Sequence, residues 1–201
     1  MFWTTIRVVT FFIYPILSYL IFFANPVITV LYSEKWIPCV PLFQVLCLSG
    51  YLNALYHLSR STIKAIGKSK LLLNTQVISL LLSLLFVCLF LRFDIEFFVW
   101  FIVIDAVISY SIVGFCIGKY LNYSLFRQVA DWGGSFIVSM VVAYITSIVA
   151  TKIHIPMIAE VIIFFVLNTG LYFITSILLK NDIATMAINV IKNKVNKKTD
   201  V

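Results

Sequence analysis

Four side chains in this sequence occupy stretches where a polar or charged group is costly: Asp105, His57, Arg60 and Asn53. Asp105 lies near the middle of an apolar run. A carboxylate at the centre of a bilayer costs at least about 2.5 kcal/mol, so such a residue is kept for a reason. It either holds a proton or cation, or touches substrate hydroxyls, or stays neutral and hydrogen-bonds a neighbouring helix or Ser109 on its own face. Ser49, Asn53 and His57 are spaced by four, and Arg60 and Lys64 extend the same helical stripe. Its cationic end suits a phosphate or an acidic sugar. The alternative is Arg60 snorkelling to the headgroups with His57 packing between helices. Gln44, Asn74, Gln76 and Asn168 fit either the wall of a path for a polyhydroxylated ligand or amides that join helices.

No catalytic constellation accompanies them. The sequence has no GxSxG, no HExxH, no P-loop and no carboxylates paired at a working spacing. Cys39, Cys47, Cys88 and Cys116 are scattered without CxxC spacing and read as small core residues. The expectation is a protein that is not an enzyme and needs no metal or cofactor.

The composition says what must position these residues. Of 201 residues, 62% are hydrophobic and 11% charged, and the mean hydropathy is +1.07. A water-facing surface needs about a quarter charged residues, which this chain lacks. Its apolar runs do not alternate as barrel strands would, and they reach the roughly 20 residues that cross about 30 Å of hydrocarbon. The fold class is an all-α membrane protein, one bundle of about six helices over residues 1–180, with spans near 8–31, 40–59, 71–91, 97–117, 133–150 and 156–179. Pro15 and the pair Asn25-Pro26 predict a kink or a broken last turn in the first span. Residues 119–132 read as an interfacial amphipathic helix, with Leu121, Leu125, Phe126, Val129 and Trp132 on its apolar face. Asn122, Arg127, Gln128 and Asp131 point elsewhere. Residues 181–201 form a basic tail.

The net charge of +7 sits in loops and at the C-terminus, which excludes a nucleic-acid partner and suits the positive-inside rule. With the N-terminus inside, twelve basic residues fall on the inner side and Lys35, Arg92 and Lys152 on the outer. Both termini are then cytoplasmic. His57 and His154 fall on opposite sides and cannot share a metal.

Residues 25–70 carry a family resemblance. Asn25-Pro26-Val27-Ile28-Thr29-Val30-Leu31, Ser33-Glu34-Lys35-Trp36, Pro38-Cys39-Val40-Pro41-Leu42-Phe43 and Lys64-Ala65-Ile66-Gly67-Lys68-Ser69 follow one another as they do in the O-antigen and capsule polysaccharide flippases. These belong to the multidrug/oligosaccharidyl-lipid/polysaccharide exporter superfamily. The residue before Glu-Lys-Trp is often Gly in relatives, and here it is Ser33. Leu121-Asn122-Tyr123-Ser124-Leu125-Phe126-Arg127-Gln128 is similar to the family's entry to an interfacial helix, and Arg7-Val8-Val9 through Pro15 fits the preceding span.

The resemblance is to the C-terminal lobe alone of a two-lobed, MATE-like transporter. It implies flipping of undecaprenyl-linked oligosaccharide across the bacterial inner membrane, coupled to an ion gradient. The implied partners are membrane lipid, the lipid-linked oligosaccharide and an N-terminal helical bundle that this sequence does not contain. The family's cavity residues have no residue-by-residue match here, so Asp105, His57, Arg60 and Asn53 rest on physics. Two other readings stay open: a non-transporting truncated membrane subunit, and an intramembrane enzyme of cell-surface polysaccharide assembly. The latter would need a sizeable outer loop with polar catalytic residues, and the expected outer loops are short.

Overall fold

A computed structural model describes residues 2–90, 95–121, 123–153 and 155–179. They form seven α-helices: α1 Phe2–Phe22, α2 Ala24–Tyr32, α3 Val40–Ala65, α4 Ser69–Phe90, α5 Ile95–Leu121, α6 Leu125–Ala150 and α7 Met157–Leu178. Six of the helical stretches are long and apolar enough to cross a membrane, and the chain is a polytopic helical membrane protein. The expected basic tail 181–201 lies outside the described residues, as do Asn122 and His154.

Proline chemistry sets the first boundary. Pro26 has no N–H to give the Phe22 carbonyl, and its ring crowds that carbonyl. The helix therefore breaks at Phe23 (φ −104°, ψ 22°) and restarts as the short α2. One span over 8–31 was the expectation. The membrane-length segment is instead Thr4–Phe22, shifted toward the N-terminus. α1 continues through Pro15, and side-chain donors gather on the carbonyls beside it. Ser18 Oγ donates to the carbonyls of Tyr14 (3.0 Å) and Pro15 (3.2 Å), and Asn168 Nδ2 of α7 donates to Pro15 (3.1 Å).

Two left-handed backbone positions punctuate the chain. Ser33 joins α2 to the 3-10 helix Glu34–Cys39 at φ 81°, ψ 167°, a region that in practice only glycine visits without strain. Gly67 ends α3 at φ 75°. Its N–H bonds the Lys64 carbonyl (3.0 Å) and the Lys68 N–H bonds the Ile63 carbonyl (3.3 Å), the paired bonds of a Schellman cap.

α1 is the central helix, packed against α3 on one side and α6 and α7 on the other. Lipid tails are as apolar as leucine, so burial of aliphatic surface drives little; close packing and hydrogen bonds do. The interior reflects this. Its fully buried large side chains include Tyr14, Tyr19, Tyr51, Tyr172, Phe11 and Phe164, beside buried Ser18, Ser139, Thr146 and Asn168. Tyr14 and Tyr51 meet edge-on at 4.7 Å, and Phe23 stacks between Tyr19 (4.6 Å) and Phe164 (5.6 Å). The leucines of α4 face outward instead. Only 11% of its span is buried, against 39% for α1, and among the described helices it packs on α5 and α3.

The expected interfacial helix is not a separate element. Residues 125–132 are the first two turns of α6, whose N-terminus is capped by Ser124 Oγ accepting from the Arg127 N–H (3.4 Å). Leu125 and Trp132 are half-buried and Arg127 is exposed. Phe126 is 89% exposed and Val129 is exposed, while Gln128 is fully buried. In lipid the apolar side of a helix turns outward and its polar side turns to the bundle, opposite to the rule in water.

Candidate functional site

α1 and α3 run antiparallel, so Arg7 and the 60–70 loop share one end of the bundle, here the basic end. Ile6 packs with Leu55 and Tyr123 there.

The candidate polar stripe lies on α3. Positions 46, 50, 53, 57, 60 and 64 fall within about 80° of arc at 3.6 residues per turn. The buried side of α3 is Cys47, Ser49, Tyr51, Leu55, Ser59 and Ile63. Ser49 thus leaves the expected stripe for the interior, where its Oγ donates to the Leu46 carbonyl (2.8 Å). Asn53 and Arg60 are half-buried, and His57 and Lys64 are exposed. The His57 ring meets Tyr56 edge-on (5.4 Å), and the Arg60 guanidinium lies over the Tyr56 ring, 5.3 Å from its centre. Arg60 Nε is buried and has no hydrogen-bond partner. The stripe therefore keeps polar groups at the bundle surface, against the direction that lipid favours.

Asp105 stands apart from it. Its carboxylate is half-buried between α5 and α4, where Ser83 Oγ donates to Oδ1 at 2.6 Å. The expected own-face partner, Ser109, is not the one used; the bond crosses to the neighbouring helix. Among the described residues no hydrogen bond or ion pair joins Asp105 to Asn53, His57 or Arg60, and no three His, Cys, Asp or Glu side chains gather as a metal site. All four cysteines are free thiols. Gln44 and Asn168 join helices. Gln44 Nε2 donates to the Ile21 carbonyl in the last turn of α1 (2.8 Å), and Asn168 also accepts from Thr146 (3.3 Å). Asn74 and Gln76 are exposed on α4.

The most connected polar cluster was missed by the sequence reading. Arg7 of α1 donates through Nε (2.9 Å) and Nη2 (2.5 Å) to Asp131 Oδ1 of α6. The Tyr123 hydroxyl donates to the other carboxylate oxygen. Burial, and then the carboxylate it donates to, hold the Tyr123 phenol well above its ordinary range. Next to this pair, Gln128 Nε2 donates to the carbonyls of Gly114 (3.1 Å) and Tyr123 (3.0 Å), while its Oε1 accepts from Tyr110 (3.3 Å). Trp132 Nε1 closes the chain on the Tyr110 hydroxyl (3.2 Å). Gly114 and Gly118 make this approach possible. A Cβ at Gly118 would sit 2.9 Å from the Tyr123 carbonyl oxygen, and one at Gly114 2.7 Å from Leu125. The readable signal was Gly114-x-x-x-Gly118, the small-residue spacing of close helix contacts. Chemically this is a structural ion pair that joins α1 to α6.

Fold and site together define a multi-pass helical bundle with an internally compensated polar knot and an uncompensated cationic stripe. Residues 1–41, covering α1, α2 and the turn after them, match a family described as polysaccharide biosynthesis protein. No curated protein and no solved structure matches the chain.

Proposed function

We propose that this chain is a lobe of an exporter that moves lipid-linked polysaccharide repeat units across the bacterial inner membrane. The observation that carries the reading is the α3 stripe: His57 is exposed, Asn53 and Arg60 are half-buried at the bundle surface, and Arg60 has no acidic partner among the described residues. A stripe of that kind is stable beside a wet conduit or a second polar bundle and costly beside lipid. The match of residues 1–41 to a polysaccharide biosynthesis family supports the substrate class.

On this reading both termini are cytoplasmic, because the basic residues then gather inside. Arg60 and His57 meet the phosphates of an undecaprenyl-linked oligosaccharide at the cytoplasmic mouth, and Asn53 meets sugar hydroxyls deeper in. Asp105, with Ser83 as its donor, is the ion-coupling carboxylate. A second helical bundle, N-terminal in the family's arrangement, faces the stripe and completes the conduit. No bond is made or broken, so the protein is a carrier and not an enzyme.

The test is translocation of lipid-linked repeat units in cells carrying Arg60→Gln or Asp105→Asn. A fall of roughly ten-fold or more at normal membrane abundance fits the loss of one charge-assisted contact of about 1.5–3 kcal/mol. Unchanged translocation in both variants removes these residues from the pathway.

A further inference from the structure

We infer that the loop between α3 and α4 holds a binding site for the phosphate of an anionic membrane lipid, separate from the α3 stripe. An open groove of about 470 Å³ lies there, walled by Lys68, Ser69, Lys70, Leu71, Asn74 and Tyr120. Its wall supplies two ammonium groups, the hydroxyls of Ser69 and Tyr120 and a carboxamide, and no acid. No acidic residue occurs from residue 60 to residue 70. A phosphodiester is the ligand this set fits, as charge-assisted donors converge on its oxygens.

The groove is built, not merely a place where lysines occur. The Schellman cap at Gly67 fixes Lys68 as the residue after the turn. Its Nζ sits 4.5 Å from the centre of the Tyr120 ring, so the ammonium is held by a cation–π contact at the end of α5. A small apolar dimple of about 10 Å³ adjoins the groove and shares Lys68, Leu71 and Tyr120 with it; Ile63, Ile66 and Ile117 complete its wall. Continuing along the same side of α4 as Leu71 and Asn74 run the exposed Ile78, Leu81 and Leu85. A headgroup in the groove thus has an apolar path for its chains, which a soluble phosphate would leave unused. This places the ligand in the leaflet at headgroup depth, where each lysine attracts anionic lipid. The site stands whether or not the chain transports a substrate.

The full chain purified in detergent, exposed to phosphatidylglycerol or to phosphatidylcholine with the same acyl chains, tests this by native mass spectrometry. The wild type retains phosphatidylglycerol over phosphatidylcholine, and Lys68→Gln/Lys70→Gln lowers that preference roughly ten-fold or more. Tyr120→Leu lowers it by a smaller factor, and Lys152→Gln, in a different loop, leaves it unchanged. All lysines named are exposed, so folding is preserved, and an unchanged thermal midpoint verifies it. A double variant that keeps the wild-type preference overturns the site. So does inorganic phosphate that displaces the lipid at equal concentration, since that assigns the groove to a soluble anion.

Discussion

Two arginines at the same end of the bundle meet opposite circumstances. Arg7 is bound by Asp131, and Tyr123 holds the carboxylate from its other side. Arg60 lies on the Tyr56 ring with its Nε buried and unbonded, and no carboxylate faces it among the described residues. The lesson is about where compensation comes from. Around Arg7 the chain supplies every partner itself, across residues 124 apart in sequence, and the result pins α1 to α6. Around Arg60 the chain supplies an aromatic surface and leaves the charge for something outside the bundle. The first arrangement is architecture, and the second is the one proposed above as a binding surface.

Substitutions separate the two. The largest effect is expected for Asp131→Leu, which strands a half-buried guanidinium. Removing one member of such a pair costs about 3 kcal/mol, reduced here because Arg7 is 37% exposed. Adding Arg7→Met should restore most of that loss, because an apolar pair of similar volume replaces the ionic one. Thermal midpoints in detergent for the two single variants and the double variant measure this. A double variant as unstable as Asp131→Leu would show that the pair is not self-compensating.

A backbone change outside both regions sets the scale. Ser33→Gly should raise stability by about 1 kcal/mol by relieving the left-handed conformation at φ 81°. The same unfolding series reads it, and a fall would mean that Ser33 is not strained. The smallest effect is expected for Arg60→Gln, about 0.5 kcal/mol, the worth of a partly exposed cation–π contact with Tyr56. A loss as large as that of Asp131→Leu would erase the contrast between the two arginines.

The fold class was readable because hydropathy over a run needs no knowledge of neighbours. The break near Asn25-Pro26 was readable too, since proline acts on its own helix. Residues 125–132 show where such reading stops. Their amphipathic stripe reads as a helix lying in the interface, and periodicity alone does not show that the same helix runs on into the span that follows. The partner of Asp105 was also hidden. Ser83 lies inside a leucine run, and only the packing of α4 on α5 brings it to the carboxylate. Arg7 and Asp131 offered only opposite signs at the ends of two distant spans. Likewise the spacing that placed Ser49 with Asn53 and His57 was correct for the helix, yet Ser49 lies at the edge that α3 buries.

The central claim is that the α3 stripe borders a wet space or a polar partner and not lipid tails. Asn53 and Leu81 test it directly, because both lie about 18 Å along their helices from the α3–α4 loop at 1.5 Å per residue. In membranes from cells expressing the chain with Cys39, Cys47, Cys88 and Cys116 replaced by alanine, the Asn53→Cys and Leu81→Cys variants are exposed to a water-soluble maleimide. The account predicts labelling of the Asn53→Cys variant, or its protection by a second helical bundle that crosslinks to it, with the Leu81→Cys variant unreactive throughout. Equal lack of reaction at both positions, with no crosslink at either, would put the stripe in lipid and contradict the account.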